Sequence, residues 1–257
     1  MKIGVPKEIK NNEFRVGLTP SSVAELVSFN HDIFIQSNAG LGIGFLDEDY
    51  IKAGAVILDS PSKLYSSAEL IIKVKEPVPE EFKYLNSTHT VFAYLHLAGD
   101  PQTGLDLTAT GITGIALETV TADDGSMPLL SPMSCIAGQL SVIVGSYHLL
   151  KPNKGMGTLI GSFNDIDPRT VTVIGAGVAG TEAIKKAIEN RARLKIIDLS
   201  SERLNELQKD FGDKNIEYIL SSESSIHDAV IDSDLVIGAV YVIGKSAPKV
   251  VDSCMVK

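Results

Sequence analysis

A run of β-branched residues, Thr170-Val171-Thr172-Val173-Ile174, passes straight into Gly175-Ala176-Gly177-Val178-Ala179-Gly180, and no other feature of this 257-residue chain constrains its fold as strongly. The run predicts a strand and Thr181–Asn190 predicts a helix. The GxGxxG spacing therefore falls at a strand-to-helix turn, where it has a mechanical meaning. Gly175 allows the tight turn, Gly177 lets a pyrophosphate approach the backbone, and Gly180 lets helix and strand pack closely. The free N–H groups around Val178 and Ala179, with the partial positive charge of a helix N-terminus, suit phosphate oxygens. Leu194–Ile197 predicts the next strand, which ends on Asp198, about 20 residues beyond the glycines. A carboxylate there accepts from ribose hydroxyls and repels an extra phosphate, which favours NAD over NADP. Arg203 lies near enough to bear on that choice. Asp234–Gly238 reads as a fourth strand. A doubly wound sheet has about six, so this Rossmann-type parallel sheet is expected to be incomplete at its C-terminus.

The preceding half of the chain alternates strand and helix as well, which implies a second α/β unit. Lys2–Val5, Asp32–Gln36, Ala55–Leu58, Glu69–Val74, Thr90–Leu95 and Ile112–Ala116 read as strands. Thr19-Pro20 opens a helix, since threonine can cap and proline suits the first helical position. Asp47–Ala53 reads as another helix, and Gly40–Gly44 as a loop. Ser131–Leu150 carries apolar residues at helical spacing and reads as a long linking helix. The expected division is 1–130, a substrate or catalytic domain, and 131–257, the nucleotide domain.

Charged and titratable groups collect just past the strand ends: Lys75, His96 and Glu118. Open α/β sheets bind ligands there. By strand alternation Lys73 and Lys75 share one face, the pattern of a solvated edge. Glu76, Glu118 and His148 read as structural. The net charge of −9, from 23 basic and 32 acidic residues, argues against nucleic-acid binding. No apolar stretch approaches the roughly eighteen residues of a membrane span, and charges occupy the N-terminus where a signal peptide would be apolar. Two cysteines, Cys135 and Cys254, have neither disulfide-framework nor metal spacing. A cytoplasmic protein with no metal site is expected.

Gly4-Val5-Pro6-Lys7-Glu8, Arg15-Val16-Gly17-Leu18-Thr19-Pro20, Asn38-Ala39-Gly40, Asp49-Tyr50 and Ala53-Gly54-Ala55 together resemble the opening of the alanine dehydrogenase and proton-translocating transhydrogenase superfamily. Val74-Lys75-Glu76-Pro77 and Tyr94-Leu95-His96-Leu97-Ala98 resemble its alanine dehydrogenase branch, because the transhydrogenase branch lacks this histidine. The resemblance implies that Arg15 binds the substrate carboxylate, Lys75 binds substrate and polarises its carbonyl, and His96 performs acid/base catalysis. It places Ser134 near the cofactor phosphates, Asp198 on the ribose, and Ala239 and Val240 along the nicotinamide side. The residue types suit these tasks: a guanidinium grips a carboxylate with two bonds, an ammonium polarises an oxygen, and an imidazole titrates near neutrality. The implied reaction converts L-alanine to pyruvate with NAD.

Against the family pattern, Cys135 replaces a glutamate and Gln139 an arginine. Gly161–Asp165 and Val242–Ser246 replace a glycine-proline loop and a Pro-Gly-Ala-Lys stretch. Family members continue past residue 257 with further strands, an aspartate beside the substrate and a loop over the nicotinamide. The chain alone is therefore expected to turn over poorly, and to form a homo-oligomer once that segment is supplied. The other readings are a non-catalytic homologue that at most binds NAD, and a transhydrogenase-type nucleotide-binding domain.

Overall fold

The computed structural model describes residues 1–256. They form two units, Met1–Met127 and Pro128 onward. The first contains β1 (Lys2–Val5), α1 (Pro20–Ser28), β2 (Asp32–Gln36), α2 (Asp47–Lys52), β3 (Val56–Leu58) and α3 (Pro61–Ser67). It continues with β4 (Leu70–Lys75), α4 (Pro79–Phe82), β5 (Thr90–Tyr94), α5 (Pro101–Thr110) and β6 (Thr113–Ala116). Its six strands pair in parallel in the order β3-β2-β1-β4-β5-β6. This is a doubly wound sheet with its order reversing between β1 and β4.

Three of its helices start by one device, a polar cap followed by proline. Thr19, Ser60 and Asp100 each accept a hydrogen bond from a first-turn N–H, and Pro20, Pro61 and Pro101 follow. Proline at that position loses nothing, because its N–H would be unpaired anyway. Ile3, Val5, Ile33 and Ile35 pack with Val23 and Tyr50 in one apolar cluster. A second joins Ile71, Val91 and Ala93 to Leu64, Tyr65 and Leu107. Each such side chain, taken fully out of water, contributes about 1.5–3 kcal/mol.

The expectation that Lys73 and Lys75 lie on a solvated face is corrected. β4 is an interior strand between β1 and β5, and Lys73 is 1% exposed. Between Ile72 and Lys75, β4 advances three residues while β5 advances two, from Phe92 to Tyr94. The bulge breaks the alternation that would have set both lysines on one face. The Lys73 ammonium lies 3.0 Å from Glu8 Oε2 and 2.9 Å from Glu81 Oε1, both buried. Tyr65 donates to the same Glu81 oxygen at 2.8 Å.

The second unit contains α6 (Ser131–Leu149), β7 (Thr170–Ile174), α7 (Val178–Glu189), β8 (Arg193–Asp198), α8 (Ser201–Phe211), β9 (Ile216–Leu220), α9 (Glu223–Ile231) and β10 (Leu235–Gly238). Its four strands are parallel in the order β10-β7-β8-β9. Val171 and Val173 face a cluster with Val142, Ala183, Ile184, Leu204 and Leu207. Ile174 and Ile197 face the other side, against Ile226, Ala229 and Val230. Helices thus cover both faces, and the order reverses between β7 and β10. α7 begins at Val178, three residues before the expected start, so Val178, Ala179 and Gly180 form its first turn.

Candidate active site and nucleotide site

In the first unit the strand order reverses between β1 and β4, the position at which such sheets bind ligands. Glu8, just past β1, ties the two strand ends together there. Its Oε1 accepts the N–H groups of Val74 at 2.6 Å and Lys75 at 3.2 Å, and its Oε2 takes the Lys73 ammonium. The backbone beneath Lys75 is therefore held where the bulge has freed it from the ladder. On the neighbouring strand Tyr94 pairs with Lys75 in register. The His96 imidazole stacks on the Tyr94 ring, with centroids 6.1 Å apart and planes 15° from parallel. Glu118, buried in the turn after β6, accepts the N–H groups of Leu95 and His96.

Arg15 comes from the loop after β1. Its Nε donates to Glu13 Oε1 at 2.8 Å and its Nη2 to Glu13 Oε2 at 2.6 Å, a bidentate pair. These bonds hold the Glu13 carboxyl at about 2, against an opposing push from burial and with a smaller attraction from Lys75. Arg15 is raised in turn, chiefly by Glu13, and it feels Tyr94 and Glu8 as well. Burial raises the Tyr94 hydroxyl, Arg15 opposes this, and Glu118 adds to it. Tyr94 thus pairs with Lys75, lies parallel to His96 and feels the Arg15 charge, all at one end of the sheet. A cavity of about 440 Å³ opens in the same loop, lined by Glu8, Lys10, Glu13, Arg15 and Asn38; Lys75 and His96 lie outside its lining.

In the second unit Gly175 adopts φ 93, and a Cβ there would lie 2.8 Å from the Ala239 carbonyl oxygen and 3.1 Å from the Val240 nitrogen. Ala239 and Val240 therefore flank the glycine turn at the point where this sheet reverses its order. A Cβ at Gly180 would drive into the Gly175 carbonyl, whereas one at Gly177 meets nothing within 4 Å. Open space at Gly177 is what an approaching phosphate needs. No side chain caps α7, which leaves first-turn N–H groups for an anion. Gly138 of α6 abuts the Ala179 carbonyl, so α6 packs directly on the first turn of α7. Gln139 donates to Glu182 of α7 at 3.0 Å.

Asp198 Oδ2 accepts from Ala176 N–H at 2.7 Å, and Oδ1 from Ser200 N–H at 2.9 Å. A carboxylate has about four lone-pair sites, so both oxygens retain capacity for ribose hydroxyls. Arg203 is engaged on the turn itself: Nε donates to Ala176 O, Nη2 to Thr181 Oγ1 and Nη1 to Glu206 Oε2. Its fork straps α8 to the glycine turn. These residues fit a dinucleotide. Among the described residues no group of His, Cys, Asp or Glu could hold a metal ion, and no helix is long and apolar enough to cross a membrane.

Four groups at this site escaped the sequence reading. Glu118 reads there as structural, Glu8 and Tyr94 appear only inside motifs, and Glu13 carries no role. Each acts through a partner that strand pairing or a loop brings to it.

Residues 4–137 match the family model described as alanine dehydrogenase/PNT, N-terminal domain, and residues 141–257 match the corresponding C-terminal domain. An alanine dehydrogenase from Methanococcus maripaludis is 44% identical over the whole chain, which spans 69% of that relative. Among solved structures, an L-alanine dehydrogenase superposes with TM-score 0.88 at 45% identity, over 100% of this chain and 70% of that one. A transhydrogenase from Sinorhizobium meliloti superposes with TM-score 0.80 at 25% identity, over 99% of this chain and 74% of that one.

Proposed function

The chain belongs to the alanine dehydrogenase/PNT family of oxidoreductases, and from that membership we propose that it catalyses the reaction L-alanine + NAD + water to pyruvate + ammonia + NADH + a proton. The observation that carries this reading is the meeting of Arg15, Lys75, Tyr94 and His96 at the strand ends of the first unit. When bound to the second unit, NAD supplies the hydride acceptor.

Arg15 binds the substrate carboxylate through its two-pronged face. Glu13 holds that face in this structure, so substrate entry exchanges one carboxylate for another. Once C2 has given up its hydride and the nitrogen a proton, His96 removes a proton from the water that adds to the resulting C=N bond and returns it as ammonia leaves. Lys75, a compact cation, polarises the oxygen that this water brings to the second carbon, the carbonyl oxygen of pyruvate. Val178, Ala179 and Gly180 offer their N–H groups to the pyrophosphate, and the family pattern assigns Ser134 to the cofactor phosphates as well. Asp198 accepts from the ribose, and the engagement of Arg203 with Ala176, Thr181 and Glu206 withholds it from an additional phosphate. Ala239 and Val240 border the nicotinamide side of the turn.

Calorimetric titration with NADH, NADPH and pyruvate tests the reading. NADH should bind, NADPH should bind at least about tenfold more weakly, a gap of 1.4 kcal/mol, and Asp198→Ala should narrow the difference. Tighter binding of NADPH would overturn the role of Asp198. Nucleotide binding without any pyruvate heat would favour the transhydrogenase-type reading.

A further inference from the structure

β5 leaves its ladder after Tyr94, and its last pairing with β6 is Ala93 with Ala116. Beyond that pair the sheet offers Leu95 and His96 no strand partner. Glu118 takes the place of one. It follows β6 in the turn Leu117–Thr119 and is 7% exposed. One carboxylate oxygen accepts from the Leu95 N–H at 3.2 Å, the other from the His96 N–H at 2.6 Å. The carboxylate thus extends the ladder by two bonds, using a side chain where backbone has run out.

The residue so held is in an uncommon conformation. His96 has φ 50, in the left-handed region that side-chain-bearing residues rarely occupy. Its carbonyl accepts from Gly99 N–H at 2.9 Å, closing the turn. Such a conformation persists only where its surroundings fix it. Here they are the Glu118 clamp on one side of the residue and the Gly99 bond on the other. The imidazole then lies parallel to the Tyr94 ring and offset from it, with centroids 6.1 Å apart.

β4 shows the same construction one strand away. Glu8, also buried, accepts from Val74 and Lys75, the residue immediately before the expected substrate lysine and that lysine itself. Two neighbouring strands that each deliver a reacting group thus each end on a buried carboxylate that takes two consecutive N–H groups.

We infer that Glu118 is a positioning residue for His96: it holds the backbone turn that lays the imidazole against Tyr94, where it serves proton transfer. The inference rests on the proposed role of His96, and its structural half can be read without turnover. Imidazole proton resonances depend on where the ring sits relative to a neighbouring aromatic ring. In Glu118→Gln, which keeps one acceptor, and Glu118→Ala, which keeps none, the His96 ring signals should move in graded fashion. Those of His31, His89, His148 and His227 should stay in place. Should the alanine variant fail to fold, the glutamine variant carries the comparison. In the alanine assay, Glu118→Gln should lower kcat by roughly 10- to 100-fold, the size expected when a reacting group is displaced by about an ångström. Pyruvate KM and NADH affinity should stay within about twofold, because Arg15, Lys75 and the second unit are untouched; a merely structural lesion would move all three. Unchanged His96 signals in both variants, or kcat unchanged beside shifted signals, would overturn the inference. No turnover in the parent protein, either alone or joined to a family member's C-terminal segment, beside changed His96 signals in the variants would instead refute the proposed reaction and leave the clamp standing.

Discussion

Replacing Lys73 by methionine tests the idea that an ion network, and not apolar packing alone, holds the strand that carries Lys75. The ammonium is fully enclosed, 3.0 Å from Glu8 and 2.9 Å from Glu81, whose side chains are 3% and 6% exposed. Methionine matches the length and leaves two buried carboxylates facing each other. Removing one partner from a buried pair costs about 3–5 kcal/mol, most of it the uncompensated charge left behind. The first unit spans Met1–Met127, a size at which each kcal/mol moves Tm by roughly 3–6 °C. A drop of roughly 10–30 °C follows for the transition of that unit. The triple change Glu8→Gln, Lys73→Met, Glu81→Gln removes all three charges, and it should recover most of the loss, since apolar or neutral replacements of whole buried pairs are often near neutral. Urea titration followed by circular dichroism measures both. A single variant within about 1 kcal/mol of the parent, or a triple variant no better than the single, would refute the reasoning.

Gly177→Ala should separate binding from folding: the added Cβ meets nothing within 4 Å, so Tm should hold, while NADH affinity should fall at least about tenfold, equal to 1.4 kcal/mol; calorimetry and thermal melting check both. Gly175→Ala should damage both, because at φ 93 the new Cβ meets the Ala239 carbonyl, and a non-glycine residue forced there costs about 1–3 kcal/mol. The Glu13 carboxyl is held at about 2 in the fold against its ordinary 4.5. A depressed carboxylate gives stability that is full above pH 4.5 and disappears as pH falls towards about 2. With Arg15 half exposed, solvent screening limits this to about 0.5–1 kcal/mol, and Glu13→Gln should remove that part of the acid dependence in urea titrations across this range. The same variant removes the charge with which Glu13 competes for the Arg15 fork, so pyruvate should bind about 2- to 5-fold more tightly, the equivalent of that energy; unchanged or weaker pyruvate binding would show that Glu13 does not compete with substrate.

Much of this architecture can be read in local sequence, and what cannot has a physical reason. Lys2–Val5, Asp32–Gln36 and Thr170–Ile174 match their strands because a buried parallel strand is written as a short apolar run. Thr19-Pro20 announces α1, and the same signal stands unread at Ser60-Pro61 and Asp100-Pro101, where α3 and α5 begin. α8 is polar along most of its length and buries Leu204 and Leu207, too thin a pattern to stand out. The buried network is invisible for another reason. Lys73 and Glu8 lie 65 positions apart, and the bulge that turns Lys73 inward exists only once β4 has paired with β5. Alternation alone gives the opposite answer there. Glu118 reaches its two amides across 22 and 23 positions, so nothing near it in sequence marks it as more than an isolated acid. Arg15, Lys75 and His96 were expected from family resemblance, since each taken singly is an ordinary surface or strand-end residue.

The most direct measurement is a steady-state assay of reduced nicotinamide formed from L-alanine and NAD, with pyruvate measured in parallel. It should be run on this chain, on the chain joined to the C-terminal segment of a family member, and on the His96→Ala and Lys75→Ala variants of whichever is active. NADH and pyruvate should form in equal amounts, only when alanine is present, and neither should form in the two variants. Absence of alanine-dependent NADH from both forms, or equal activity after His96→Ala, would contradict the proposed reaction.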